Sequence, residues 1–190
     1  AIGEVTLGRK VGNKAIMWGA VAGTIPDLDV LVVDFYDVVK GLFVHRGFSH
    51  SILFALLVAP VLGAIIHWIH KKTTASFFDW SKLTFWALFT HILLDSLTSY
   101  GTGLFIPFSD YRIELNTIAI VDVFYTVPLL LSILIILFLR RDSHARYIIG
   151  RTGLFISTLY LVFTMINKQI SAYHFTLSLD EQNLSYNRLR

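Results

Sequence analysis

The histidines and aspartates of this chain fall into short motifs whose spacings let them share a ligand. His91 and Asp95, in THILLDSLTSYG, are four residues apart. On a helix both project from one face, one above the other, and can reach a common ion. Asp27 and Asp29, in IPDLDV, flank one residue and aim two carboxylates the same way if the backbone there is extended. His45 and His50, in HRGFSHS, are five apart across Gly47, and a turn at that glycine would bring both imidazoles to one site. The chain has no cysteine, which excludes thiolate nucleophiles, disulfide frameworks and cysteine-ligated metals. Asp27, Asp29, His45, His50, His91 and Asp95 are then a hard to borderline donor set suited to a divalent metal, one or two ions, with zinc first and manganese or iron as alternatives. Arg46 offers a planar fork for a phosphate or carboxylate. Asp122, in IVDVFY, can serve as general base, as helix cap or as the group that orients a ligand histidine.

These motifs need elements that bring them together, and the composition indicates the solvent. Of 190 residues 55% are hydrophobic and 15% charged, with mean hydropathy +0.64, where a soluble domain carries about 25% charge. The chain reads as all-α, a polytopic transmembrane bundle of about four to five spans. Ser51 to Trp68, Leu83 to Leu97 and Ile118 to Leu139 are the long apolar runs, the second broken only by His91 and Asp95 and the third only by Asp122. Ala15 to Ile25, which ends at Pro26, and Thr152 to Ile166 are shorter. The first of these is expected as a short or re-entrant helix. Residues 1–167 form the membrane-embedded domain, and 168–190 read as an extracytoplasmic polar tail opening a soluble segment. The start, AIGEVTLG, has no charged-then-apolar leader and reads as the end of a helix.

Basic residues orient the runs. Arg9, Lys10 and Lys14, then Lys71, Lys72 and Lys82, then Arg140, Arg141, Arg146 and Arg151 mark three segments as cytoplasmic by the positive-inside rule. The loops Pro26 to His50 and Ser99 to Thr117 hold mostly acidic charges, Asp34 and Asp37 among them, against Lys40, Arg46 and Arg112, and face the other side. Measured from Lys82 at about 1.5 Å per residue, His91 lies roughly 13 Å and Asp95 roughly 19 Å across a core of about 30 Å. Asp122 is about 6 Å into the following run from the outer side. All the candidate groups therefore meet in the outer half, beside the loop that carries PDLD and HRGFSHS. A net charge of +3 without a basic stripe points to membrane lipid as partner and away from nucleic acid.

Read singly, a His or Asp in an apolar run can be a hydrogen-bonded packing group, and convergence at one depth is what favours a site. His67 and His70, beside Lys71 and Lys72, read as interfacial anchors. Ser49 and Ser51 lack the G-x-S-x-G elbow of a serine nucleophile. Intramembrane Asp and His also mark ion pathways, so a divalent-metal transporter is one rival, although such a path needs polar groups at several depths. A non-catalytic scaffold, stapled by a structural metal, is the other.

In combination, PDLD, HRGFSHS, HILLDSLTSYG and the later Asp in an apolar run resemble the bacterial and archaeal YdjM-like family of membrane-bound proteins, to which metal-dependent hydrolysis is ascribed. The resemblance covers about Gly12 to Pro128. It implies that Asp27, Asp29, His45, His50, His91 and Asp95 are the metal positions and that Arg46 is the accompanying arginine. Members usually carry a further His or Asp ahead of the Gly-rich first helix. The expected function is a hydrolase of the cell (inner) membrane, cleaving an ester or phosphoester of a lipid or lipid-linked substrate at the extracytoplasmic face through metal-activated water.

Overall fold

The computed structural model describes residues 1–33, 35–37, 41, 44–182 and 184, and its regular structure is helical. Among the described residues the only extended pairing is a single antiparallel bridge between Thr102 and Ile113. Asp34, Lys40 and the end of the tail, 183 and 185–190, lie outside the described residues.

Helix α1 (Ile2–Val11) turns at Gly12, where φ is +63°, into α2 (Asn13–Thr24). The two fold back on each other so closely that a Cβ at Gly3 would lie 1.9 Å from the carbonyl oxygen of Ala15. Pro26 does not end the helical path, as its position in the sequence suggested. It opens a 3-10 turn, Pro26–Asp29, that leads into the short α3 (Val30–Val33). At the first position of a helical turn the missing N–H of proline forfeits no bond. Asn13–Val33 is thereby 21 residues of continuous helical backbone rather than a short re-entrant piece.

A second 3-10 turn, Phe48–His50, precedes α4 (Ile52–Ile69), whose N-cap Ser51 accepts from the Phe54 N–H at 3.0 Å. Helix α5 (Phe77–Ser96) opens with a reciprocal box between Ser76 and Asp79. Helix α6 (Val123–Leu137) begins at the Asp122 cap, later than the apolar run alone suggested. Helix α7 (His144–Glu181) has 38 residues. It continues well past Ile166, through segment 168–181 that the sequence left without a fold. At about 1.5 Å per residue it is nearly twice as long as a bilayer core is thick.

Asn13–Val33, Ile52–Ile69 and His144–Glu181 are long and apolar enough to cross a membrane, and Val123–Leu137 is a shorter apolar helix. Helix α4 packs along α5, α6 along α7, and α1 against α2, α5 and α7. Small residues allow these approaches: Ala55, Ala59 and Gly63, four apart on α4, are all buried toward α5. Thr84 of α5 donates to the Ala59 carbonyl at 2.9 Å. Outward-facing Leu57 and Val61 on α4 and Leu130 and Leu134 on α6 stay exposed, as helices solvated by lipid require.

Two apolar clusters fix the ends of the first sub-bundle. Leu7, Val11, Ile66, Trp80 and Leu83 fill the end where Lys10 meets Asp79 and the indole N–H of Trp18 donates to His70 at 2.8 Å. Ala55, Ala59, Leu88, Ile92 and Leu104 fill the other. The candidate site lies on this second cluster.

Candidate metal centre

The site is built from three places in the chain. The last turns of α5 present His91 and Asp95 on one face, as their spacing required. The Pro26–Asp29 turn hangs Asp27 over them from the end of α2, and the Phe48–His50 turn inserts His50, which is fully buried. One donor atom from each of Asp27, His50, His91 and Asp95 lies within 4.8 Å of the other three, and together these residues could hold a metal ion.

His50 Nε2 is 3.0 Å from Asp95 Oδ2 and 3.4 Å from Asp27 Oδ1. His91 Nε2 is 3.4 Å from the same Asp27 oxygen and 3.5 Å from the same Asp95 oxygen. A tetrahedral ion with bonds near 2.1 Å would hold its donors roughly 3.4 Å apart. Moreover His50 Nε2, His91 Nε2 and Asp95 Oδ2 are buried without a well-aligned hydrogen bond, their nearest polar neighbours being one another and Asp27. Buried polar atoms are rarely left so, and three of them turned toward one point fit a cation as their common partner. The donor set therefore fits the group that the motifs imply.

Asp29 and His45 stand one step behind. The sequence expectation of two parallel carboxylates assumed extended backbone. In a 3-10 turn, residues two apart diverge by about 240° around the axis. Asp27 accordingly faces the four-residue cluster, while Asp29 accepts from Ser49 Oγ at 2.7 Å and the Arg46 N–H at 3.0 Å and pairs with His45 Nδ1 at 2.8 Å. The two carboxylates end up on opposite nitrogens of one ring, Asp27 near Nε2 of His50 and Asp29 near Nδ1 at 3.3 Å. Ser49 Oγ donates its O–H to Asp29 and lies 3.0 Å from His50 Nδ1, where it is left to accept a hydrogen bond from the ring N–H. That relay fixes the tautomer and leaves the Nε2 lone pair facing the cluster.

The turn expected at Gly47 falls one residue earlier. Arg46 has φ +56°, a left-handed conformation costly for a residue with a Cβ, whereas Gly47 has φ −88°. The strain is held by backbone bonds on both sides of Arg46, to Asp29 and from the Gly103 N–H at 3.0 Å. The Arg46 side chain is buried, donates from Nη1 to Thr98 Oγ1 at 2.7 Å and places Nε 3.5 Å from Asp95. Asp122 is placed elsewhere: its carboxylate accepts from the Tyr125 N–H and the Tyr160 O–H, on α6 and α7.

Several contributors were not read from the sequence. Thr98 continues the His91 and Asp95 face at the next helical step, so the 3.6-residue period could have found it. Arg112, which donates to the carbonyls of His45 and Gly101, pins the loop 97–122 over the site. It carries no local signal, because its partners are distant in the chain.

Helices long and apolar enough to cross a membrane, with a histidine and aspartate cluster at one end of the bundle, define a helical membrane protein with a candidate metal centre. The family described as YdjM inner membrane protein matches residues 1–171, and the chain belongs to that family of inner-membrane proteins, as its motifs suggested. It is 37% identical over 111 residues to the inner membrane protein YbcI of Escherichia coli (strain K12), which covers 56% of this chain and 61% of that protein. It is 30% identical over 142 residues to the uncharacterized protein YfhP of Bacillus subtilis (strain 168), 70% of this chain and 42% of that protein. The chain thus spans less than two thirds of either relative. No solved structure matches it.

Proposed function

We propose that this chain is a membrane-embedded, metal-dependent hydrolase that cleaves an ester or phosphoester in a lipid or lipid-linked substrate at the extracytoplasmic face. The reading rests on one observation: donor atoms of His50, His91 and Asp95, buried without a well-formed hydrogen bond, meet the half-exposed carboxylate of Asp27 around one point. Asp27, His50, His91 and Asp95 would hold the ion. A divalent cation, zinc first and manganese or iron as alternatives, supplies Lewis-acid activation of water near neutral pH.

The remaining residues orient, neutralise and move protons. Asp29 and Ser49 hold the His50 tautomer. His45 is part-exposed and anchored through Nδ1 to Asp29, an arrangement that fits the role of a general base and acid. Arg46 lies within ion-pair distance of Asp95, and its charge offsets that of the carboxylate. Its burial favours charge compensation over a direct grip on a substrate phosphate. Asp122 is assigned to helix capping. The side of the membrane follows from the basic segments at the opposite end of the bundle. Exposed Phe48, Tyr100 and Phe105 flank the loops that carry the site, which suits a substrate that arrives by lateral diffusion in the outer leaflet.

A second reading is supported by the number of donors. Four protein ligands are what closed structural sites use, so the ion could instead staple the outer loops of a non-catalytic scaffold. A transport path is less well supported, because the layer below the site is filled by Ala59, Leu88 and Ile92. The experiment is hydrolysis of a panel of lipid esters and phosphoesters by the purified, metal-loaded chain, beside the His45→Ala variant. Turnover that His45→Ala abolishes with metal still bound supports the enzyme; bound metal with no turnover on any substrate supports the scaffold.

A further inference from the structure

At the end of the bundle opposite the metal centre, α1 and α7 enclose a cavity of about 200 Å³ lined by Arg9, Lys10, Arg141, Arg146, Tyr147 and Arg151, with Glu4 at its wall. Its charges are unbalanced. Arg146 is buried and spent on Glu4, with Nε to Oε1 at 2.8 Å, and Lys10 is spent on Asp79 at 2.6 Å. Arg9, Arg141 and Arg151 have no carboxylate partner among the described residues. Two of these are drawn together: the Arg9 guanidinium lies 3.8 Å and that of Arg151 4.0 Å from the centre of the Tyr147 ring. Stacking on one ring holds both cations at the cavity wall despite their like charge.

We propose that this cavity binds a phosphate group, presented by an anionic membrane lipid or by a soluble phosphate. A single guanidinium matches phosphate oxygens with two-pronged geometry that a point charge lacks, and this cavity offers Arg9, Arg141 and Arg151. The volume is below the range of about 300 to 1,000 Å³ that encloses whole small molecules, which suits a phosphate group whose remaining substituents stay outside the cavity. Along α7 the face of Arg151 continues at four-residue steps through exposed Phe155 and Leu159. An apolar strip leading out of a basic pocket is where the acyl chain of a phospholipid would lie, so the lipid source is the favoured one.

The test uses the full chain in phosphatidylcholine vesicles doped with spin-labelled phosphatidylglycerol or spin-labelled phosphatidylcholine, reading the motionally restricted fraction. The wild type is expected to prefer phosphatidylglycerol, and each of Arg9→Gln and Arg151→Gln is expected to lower that preference about fivefold. Tyr147→Leu keeps every charge but removes the shared ring, and is expected to give a partial loss even if an arginine variant fails to fold. Displacement of the label by inorganic phosphate, with phosphate binding to the detergent-purified chain, would assign the soluble source; no displacement assigns the lipid. Equal restriction of both lipids by the wild type, with no phosphate binding, would overturn the proposal. So would an equal loss in Lys72→Gln, a cation outside the cavity, because that is only a surface field.

Discussion

The two nitrogens of His50 are given different tasks by their neighbours, and that difference can be measured. Asp29 and Ser49 act on Nδ1, so Asp29→Asn is expected to weaken metal binding by about 10- to 100-fold without abolishing it. His50→Gln removes a donor and is expected to abolish stoichiometric binding. Titration of the purified variants with zinc checks both, and equal loss in the two would place Asp29 among the direct ligands. At the other end of the bundle, burial and then the nearby charge of Lys14 hold His70 below the ordinary histidine value of 6.5, and its ring accepts from Trp18. A histidine depressed in the folded state contributes stability that is present above pH 6.5 and lost as the pH falls toward the folded value. The wild type should therefore lose more thermal stability than His70→Gln between pH 8 and pH 5.5, and parallel losses would refute the coupling. At this scale the sequence was informative where side-chain direction depends on a regular helix, as for His91 and Asp95. It misled at Asp29, because nothing in PDLD distinguishes an extended strand from a 3-10 turn.

Close helix approach, rather than capping alone, sets the distance between the elements that carry the site. A Cβ at Gly63 of α4 would fall 2.2 Å from Ser81 Oγ and 2.7 Å from Ser81 Cα on α5. The Oγ could rotate away but the backbone could not. Gly63→Ala is therefore expected to cost about 1–3 kcal/mol by pushing α4 from α5. Thermal unfolding in detergent reads this, and an unchanged midpoint would show that the two helices are not held at that distance. The apolar runs already located α4, α5 and α6 as helices, although of the three only α4 is long and apolar enough to cross a membrane, and α6 is a shorter apolar helix. Helix ends were less legible. Pro26 looked like a stop but begins a new turn, and α7 runs to Glu181 because a polar sequence can continue a helix once it leaves the apolar layer.

Across the whole molecule, the α6 and α7 pair is tied to the rest by a contact that no local pattern announces. Arg146 on α7 pairs with Glu4 on α1, 142 residues away, and also donates to Asn13 and to the carbonyl of Leu139. Removing one partner leaves a buried charge alone, so Arg146→Met is expected to cost about 3–5 kcal/mol, while adding Glu4→Leu should restore most of the loss. A double-mutant cycle on thermal unfolding tests this, and additive losses would show that the pair does not act as a unit. The bundle thus has a basic end fastened by ion pairs and an opposite end where carboxylates gather with histidines and Arg46. That asymmetry was legible in the charges of the loops, whereas the pairing across the bundle was not. The most direct test of the account is elemental analysis of the purified full chain after metal loading, beside a His50→Gln, His91→Gln double variant. Stoichiometric zinc, manganese or iron is expected in the wild type, with its loss in a variant that remains folded. A wild type without metal, or a variant that retains it undiminished, would contradict the account.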